Sequence, residues 1–195
     1  MQSSTDQSHS VYFQKEVSPP KTTNLKSYKR GTYLQLKGDA IKRIFFVKEG
    51  VLRSFDTGKN GREFIFMFAT KGSLMYDHSS LATRPGTSQL YIDVIEDCIV
   101  ESINPDLFRA NASSPDCDQD LLLNMQQSLS QMQERILMMM RSSIYERYEH
   151  FLDTYSHICN RIPQKMIASY LGITPEAFSN IKAKYYKSQK LLRSA

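Results

Sequence analysis

Between Gln164 and Ala183 the chain reads QKMIASYLGITPEAFSNIKA, and three of its polar residues carry the chemistry of base-edge recognition. The Glu176 carboxylate can accept a hydrogen bond from a cytosine amino group, the Asn180 amide matches adenine bidentately, and the Ser179 hydroxyl suits a base or a phosphate. Around them, Arg161, Lys165, Lys182, Lys184 and Lys187 are placed to neutralise phosphates, which sets affinity and register but not sequence. Gln164, Thr174 and Pro175 complete the expected DNA-facing set. Such chemistry needs a helix that turns these side chains away from the body.

The spacing supplies that helix. Counting Gln164 as position 1, Ala168 is position 5 and Gly172 position 9, and Ile167, Leu171, Ile173, Phe178 and Ile181 take positions 4, 8, 10, 15 and 18. A helix-turn-helix needs a small residue where the helices cross, a residue tolerant of positive φ at the turn, and inward apolar residues at fixed offsets. Thr174 is a suitable N-cap, Pro175 a suitable first helical residue, and Glu176 an acid in the first turn. Pro163 opens the preceding helix in the same way. An ordinary helical hairpin shares the apolar offsets, so charge is the discriminating feature. Residues 161–195 hold seven basic residues against Glu176, a local charge of +6, whereas the remainder holds 18 basic and 19 acidic residues. All the positive excess lies at the C-terminus, the footprint of a binder of polyanions.

Upstream, Leu122, Met125, Leu129, Met132, Ile136 and Met139 recur at intervals of 3 and 4 among Gln, Ser and Glu residues. A helix lying on its own sheet usually buries a wider face, so this narrow seam points to a parallel pairing with a second copy. Leu121, Leu123 and Leu137, off the seam, are candidates for holding the helix to the rest of the chain. Before it, short β-branched and aromatic runs alternate with turn residues: Tyr33–Leu36, Ile44–Val47, Val51–Phe55, Glu63–Phe68, Leu90–Ile95 and Cys98–Ile103. The expected fold class is therefore α+β. A mobile N-terminal tail over 1–20 precedes a cupin-like antiparallel β-roll over 21–115, a long dimerisation helix over 116–150 and a C-terminal helix-turn-helix domain over 151–195.

Composition excludes several classes. With 41 % hydrophobic and 23 % charged residues, the 195-residue chain is neither disordered throughout, nor collagen-like, nor a disulfide-stapled miniprotein. Its longest apolar runs fall far short of the roughly 20 residues of a membrane span, and a polar start leads to an expectation of a cytoplasmic protein. Cys98, Cys117 and Cys159 form no CxxC pair, and they with His9, His78, His150 and His157 supply no metal-ligand spacing. No metal, cofactor or catalytic residue is expected. Two alternatives come from other classes. A cupin-type metal-dependent enzyme would need two His and a carboxylate inside the roll, where His78 stands alone between Gly31 and Ile103. A basic membrane-surface module would need a stronger amphipathic stripe than Lys182, Lys184, Lys187 and Lys190 accompany.

In element order and motifs the chain resembles the cyclic-AMP receptor protein and fumarate/nitrate regulator (Crp/Fnr) superfamily of bacterial transcription regulators. RIPQKMIASYLGITPEAFSNIK is similar to the family's DNA-binding helices, and Gly31–Phe68 to its sensor roll, notably Lys37–Asp39 and FFVKEGVLRSF at Phe45–Phe55. The resemblance implies a homodimer on double-stranded DNA, with RNA polymerase as a further candidate partner and an effector of unknown identity. It also implies an effector pocket around Asp77, His78, Ser88 and Gln89. There the Arg-Ser pair by which cyclic-nucleotide-binding members hold the phosphate falls on Ser88 and Gln89, and the ribose-binding Glu falls near Asp77 or His78. In the recognition helix the family's Glu, Ser or Gly, and Arg are here Glu176, Ser179 and Asn180, so the base pair read by Arg should differ. The four-cysteine pattern of the oxygen-sensing iron–sulfur members is absent. Without its Arg, the phosphate site loses a charge-assisted contact worth about 2 to 5 kcal/mol. No useful affinity for cyclic AMP or cyclic GMP is expected, and a calorimetric titration returning micromolar binding would overturn this.

Overall fold

The computed structural model describes residues 24–78, 86–106 and 119–193. The expected tail over 1–20, His9 and Cys117 lie outside the described residues. Among the described residues the elements run in the order β1 (Asn24–Tyr28), β2 (Tyr33–Gln35), β3 (Ile44–Thr57), β4 (Glu63–Ala69), β5 (Leu74–Met75), β6 (Tyr91–Ile103), α1 (Gln119–Arg141), α2 (Ile144–Tyr155), α3 (Gln164–Leu171) and α4 (Pro175–Arg193). Every strand pairing is antiparallel, in the order β1-β6-β3-β4, with β2 also on β6 and β5 also on β3.

Two long strands replace four expected short ones. Glu49-Gly50 reads as a break in the sequence, yet β3 runs through it, because Gly50 takes φ 88° and the register against β6 shifts at successive steps between Val47 and Leu52. A bulge bends a strand without ending its ladder. The bend sends β1 and β5 to one half of the β3–β6 ribbon and β2 and β4 to the other. The sheet thereby curls into a roll around Phe45, Val47, Leu52, Ile92, Val94 and Val100. Buried Arg53 ties three strands together, bonding Asp93 of β6 and Glu63 of β4 while stacking 4.1 Å from the Phe55 ring centroid. Burial opposes its charge, but the bonds to Asp93 and Glu63 outweigh that and raise its pKa. Cys98 and Cys159 are free and buried, and burial, aided by the Asp97 charge, pushes the Cys98 thiol up to about 11.

The helical half departs from expectation at one boundary. The long helix does not continue to 150; α1 stops at Arg141 and Ser143 starts α2 through a capping box with Glu146. That Ser-x-x-Glu spacing is a start signal the periodicity concealed. Nor do the expected boundaries separate cores. Val51, Phe55, Ile65 and Phe68 of the roll share one core with Tyr148, Phe151, Tyr155, Tyr170, Leu171 and Phe178 of the helices. Phe68 lies 5.5 Å from the rings of both Tyr155 and Tyr170.

The outer edge of β4 is covered by polar groups from α3 and α1. Ser169 Oγ donates to Glu63 O at 2.7 Å and accepts from Ile65 N at 3.0 Å. Arg135 Nη2 donates to Ile65 O at 2.9 Å and Tyr170 O at 2.8 Å, its guanidinium 3.8 Å from the Tyr170 ring centroid. Thus Arg135 and buried Met138 hold α1 to the body, whereas Leu123 and Leu137, expected in that role, are 38 % and 36 % exposed. The Leu121 side chain lies outside the described residues.

Gly50 and Gly172 differ in what a methyl group would meet. A Cβ on Gly50 would fall 2.6 Å from Cys98 Cβ and closer still to the Asp97 carbonyl, whereas one on Gly172 meets the flexible tip of Met139 at 2.8 Å. Gly50→Ala should therefore lower the melting temperature by about 8 °C or more and Gly172→Ala by roughly 3 °C, at about 2–4 °C per kcal/mol for a chain of this size. Thermal unfolding followed by circular dichroism checks the order; a Gly172 variant hurt more than the Gly50 variant would contradict it.

Candidate nucleic-acid interface and sensor site

Helices α3 and α4 meet at the turn Gly172–Thr174. Gly172 caps α3 in the left-handed conformation at φ 71°, its amide and that of Ile173 bonding Ser169 O and Ala168 O. Pro163, expected as the first residue of α3, stands instead at its N-cap, one position before the helix begins. Thr174 Oγ1 accepts from Ala177 N at 3.2 Å and so caps α4 as anticipated. Ile167, Ala168, Leu171, Ile173 and Phe178 are buried and Ile181 packs partly against the same core. With that face occupied, Thr174, Pro175, Glu176, Ser179, Asn180 and Lys184 are exposed and Lys182 is half-buried.

The exposed side has a definite electrostatic character. Glu176 is held below the ordinary carboxylate range by a hydrogen bond from its own amide and then from the Thr174 hydroxyl, so it is an ionised acceptor. Ser179 Oγ donates to Pro175 O at 3.0 Å, which leaves its lone pairs outward. Ion pairs gather on the roll, between Lys29 and Asp97, Lys37 and Asp56, and Lys48 and Glu101. Lys182, Lys184 and Lys187 take part in none among the described residues, although Lys184 Nζ lies 5.7 Å from the Tyr145 ring centroid. Gln164 and Lys165 are exposed at the start of α3. Arg161 differs from its expected phosphate role: its guanidinium bonds Glu96 of β6 bidentately, at 2.9 and 2.6 Å. The chain folds α3 back onto the roll, and that brings a carboxylate within its reach.

On α1 the apolar seam is displaced by one residue at its C-terminal end. Leu129 and Ile136 are 58 % and 54 % exposed and Met132 is half-buried, but Met139 packs against the shared core beside Gly172 while Met140 is 78 % exposed. A helix of 3.6 residues per turn drifts against a 3.5-residue repeat, so the outward position passes from 139 to 140. The Leu122 and Met125 side chains lie outside the described residues.

In the roll, three of the four effector-pocket residues come together. Asp77 Oδ2 accepts from Gln89 N at 2.6 Å, Leu90 N at 3.1 Å and Ser88 Oγ at 3.2 Å. Gln35 Nε2 donates to the same Ser88 Oγ. His78 stands apart, its ring 4.5 Å from that of Tyr76, with a pKa lowered by burial against the opposing pull of Asp77. Among the described residues, no group of three His, Cys, Asp or Glu gathers to hold a metal ion. Sequence reasoning missed Arg135 and Ser169, which join roll to helices. Neither lies in a motif, since a guanidinium or hydroxyl that caps a distant strand edge has no local spacing to announce it.

Comparison with known proteins places this geometry. Residues 25–113 match the cyclic nucleotide-binding domain family. Over 182 residues the chain is 25 % identical to the fumarate and nitrate reduction regulatory protein of Yersinia pestis, covering 85 % of this chain and 70 % of that one. Electron transport regulator A of Shewanella oneidensis is 22 % identical over 179 residues, 84 % of this chain and 69 % of its own. The fold matches that of FixK2 from Bradyrhizobium japonicum with a TM-score of 0.71 at 18 % identity, covering 86 % of each chain. It also matches the c-di-GMP-responsive global regulator CLP of Xanthomonas campestris, with a TM-score of 0.66 at 15 % identity over 86 % of this chain and 88 % of that one. A strand roll of this topology followed by helices, together with similarity to regulatory proteins along most of its length, makes the chain similar to the transcription regulators of the Crp/Fnr superfamily.

Proposed function

We propose that this chain is a homodimeric, sequence-specific reader of double-stranded DNA that regulates transcription in the cytoplasm. The observation that carries this reading is the two-sidedness of α4. Phe178, 1 % exposed, seals one side against Tyr148 at a ring separation of 5.4 Å, while Pro175, Glu176, Ser179 and Asn180 face outward on the other. An α-helix fits the major groove, and these side chains can reach base edges while Lys182, Lys184 and Lys187 approach phosphates. Residues 151–195 then act as the helix-turn-helix domain.

The second copy is argued from α1. Leu129, Ile136 and Met140 cluster on the side of the helix opposite buried Met138, an apolar stripe facing away from the chain's own body. Pairing two such stripes would place the two α4 helices in successive major grooves, roughly 34 Å apart on a near-palindromic site. The roll over 21–115 is the sensor. It binds no cyclic nucleotide in this reading: a carboxylate, Asp77, occupies the donors at 88–90. RNA polymerase is the downstream partner, and the DNA-bound form is reached by a population shift between dimer geometries.

Selection of bound sites from random duplexes at a fixed salt concentration should yield a palindromic motif; binding without sequence preference would refute the reading. In that assay Lys182→Ala should weaken all sites alike and lower the salt slope by about 1, whereas Glu176→Ala should relax one base position and cost about 1–3 kcal/mol at the cognate site. The paired substitution Leu129→Glu with Ile136→Glu should convert the dimer to a folded monomer in sedimentation and abolish tight binding to the palindrome. A variant that still sediments as a dimer would move the interface elsewhere.

A further inference from the structure

One cation of the roll reaches the turn between α3 and α4. Arg62 closes the β3–β4 hairpin, whose connecting stretch 57–62 reads TGKNGR, two cations and no acid. The hairpin tip is fixed by short-range bonds: Gly58 N donates to Arg62 O at 2.9 Å, Gly61 N to Gly58 O at 2.9 Å, and Arg62 N to Asn60 Oδ1 at 3.1 Å. From that base the side chain extends to the helices. Arg62 Nη2 donates to Ile173 O at 3.3 Å, and the guanidinium lies 5.3 Å from the centroid of the exposed Phe64 ring. Ser169 joins α3 to Glu63 O and Ile65 N immediately beyond, so the hairpin is fastened to the α3–α4 pair at two neighbouring points.

The charge of Arg62 is not neutralised within the chain. Both carboxylates that flank the hairpin are engaged elsewhere, Asp56 by Lys37 and Glu63 by Arg53. Arg62 and Lys59 enter no ion pair among the described residues, and the Nε and Nη1 atoms of Arg62 have no hydrogen bond there. Position matters as much as charge. Ile173 directly precedes Thr174, the cap of α4, so the guanidinium stands at the end of α4 that carries exposed Pro175 and Glu176. Lys165 of α3 is near as well: Glu63, held below the ordinary carboxylate range by Arg53, also feels the Lys165 charge. A guanidinium held by its stem, its stacking ring and one bonded nitrogen has little freedom left to lose, and its remaining donors match phosphate oxygens.

We infer that Arg62 is a phosphate-contacting residue of the nucleic-acid interface, supplied by the roll, which takes a backbone phosphate beside the N-terminal end of α4 with Lys165 on the same flank. The inference rests on the reading of α4 as the helix that enters the major groove, and it extends that interface beyond residues 151–195. Phosphate contacts set affinity and register and carry no sequence information. Arg62 therefore strengthens binding and fixes how α4 enters the groove, while the choice of bases stays with α4. Since the hairpin belongs to the roll, the contact exists only while the roll is docked on α3.

The test measures binding of the full chain, by fluorescence anisotropy over a salt series, to the best duplex from site selection and to a scrambled duplex of equal length. Arg62→Gln keeps a donor for Ile173 O but removes the charge. Affinity for both duplexes should fall about fivefold per protomer near physiological salt, and the salt slope should flatten by about 0.9 per protomer, the signature of one phosphate contact. Arg62→Lys should retain the slope. Lys26→Gln, on exposed β1 in the half of the roll away from β4, removes the same charge and should leave the slope unchanged. A methylphosphonate scan locates the contact: neutralising one phosphate in each half-site should weaken the unaltered chain and make no difference to Arg62→Gln. The inference is overturned if Arg62→Gln keeps the full slope, if Lys26→Gln flattens it equally, or if every neutralised phosphate costs both proteins alike. A chain that binds both duplexes equally refutes sequence reading by α4 instead, and the slopes on either duplex still decide the role of Arg62. A chain that binds neither duplex overturns both.

Discussion

The outer edge of β4 is the constraint on which the arrangement depends. An open strand edge offers unpaired amides and carbonyls to any passing strand, and folded chains cover or blunt such edges. Here Ser169 of α3 takes up Glu63 O and Ile65 N, and Arg135 of α1 joins Ile65 O to Tyr170 O. The same few bonds that close the sheet therefore fix the first helix of the α3–α4 pair against the roll. Because Gly172 then sets the direction of α4, the outward face of α4 is oriented with respect to the strands rather than left on a tether.

Packing gives that connection its stiffness. Phe68 of β4 meets Phe151, Tyr155 and Tyr170, Tyr148 meets Phe178 and Tyr185, and both groups belong to one buried core that runs from the sheet to α4. Tightly packed interiors have few intermediate arrangements and tend to move between discrete ones. This core connects the roll to α4, and Arg135 brings α1 into the same junction. The buried bond from Tyr155 Oη to Phe68 O adds to it, and so do two exposed pairs, Arg161 with Glu96 and His157 with Thr70. Such exposed pairs contribute little to stability individually. Their effect is on orientation, and Arg161 in particular is held to a carboxylate of the roll.

Much of this was legible along the chain. The apolar offsets from Ile167 to Ile181, the Thr174 cap and the left-handed Gly172 are local requirements, met within one or two helical turns, and they emerged as expected. The strands were found but miscounted at Gly50, where a turn signal proved to be a bulge. The break at Ser143 was present as a capping box yet hidden by a continuing run of helix-forming residues. Of the residues expected around an effector, Asp77, Ser88 and the Gln89 amide are joined by hydrogen bonds, while His78 lies against the Tyr76 ring.

Sequence alone determined the element types, the two-sided α4 and the concentration of positive charge at the C-terminal end, because periodicity, capping and charge act over a few residues. Tertiary structure decided the rest. It placed Ser169 and Arg135 on the β4 edge, gave Arg161 to Glu96, turned Met139 inward and Met140 outward, and put the Asp77 carboxylate into the donors at 88–90. Each of these joins groups distant along the chain or depends on which side of a helix meets the body. Such contacts are selected by the closure of the roll and the shape of the shared core, and no spacing within either segment encodes them.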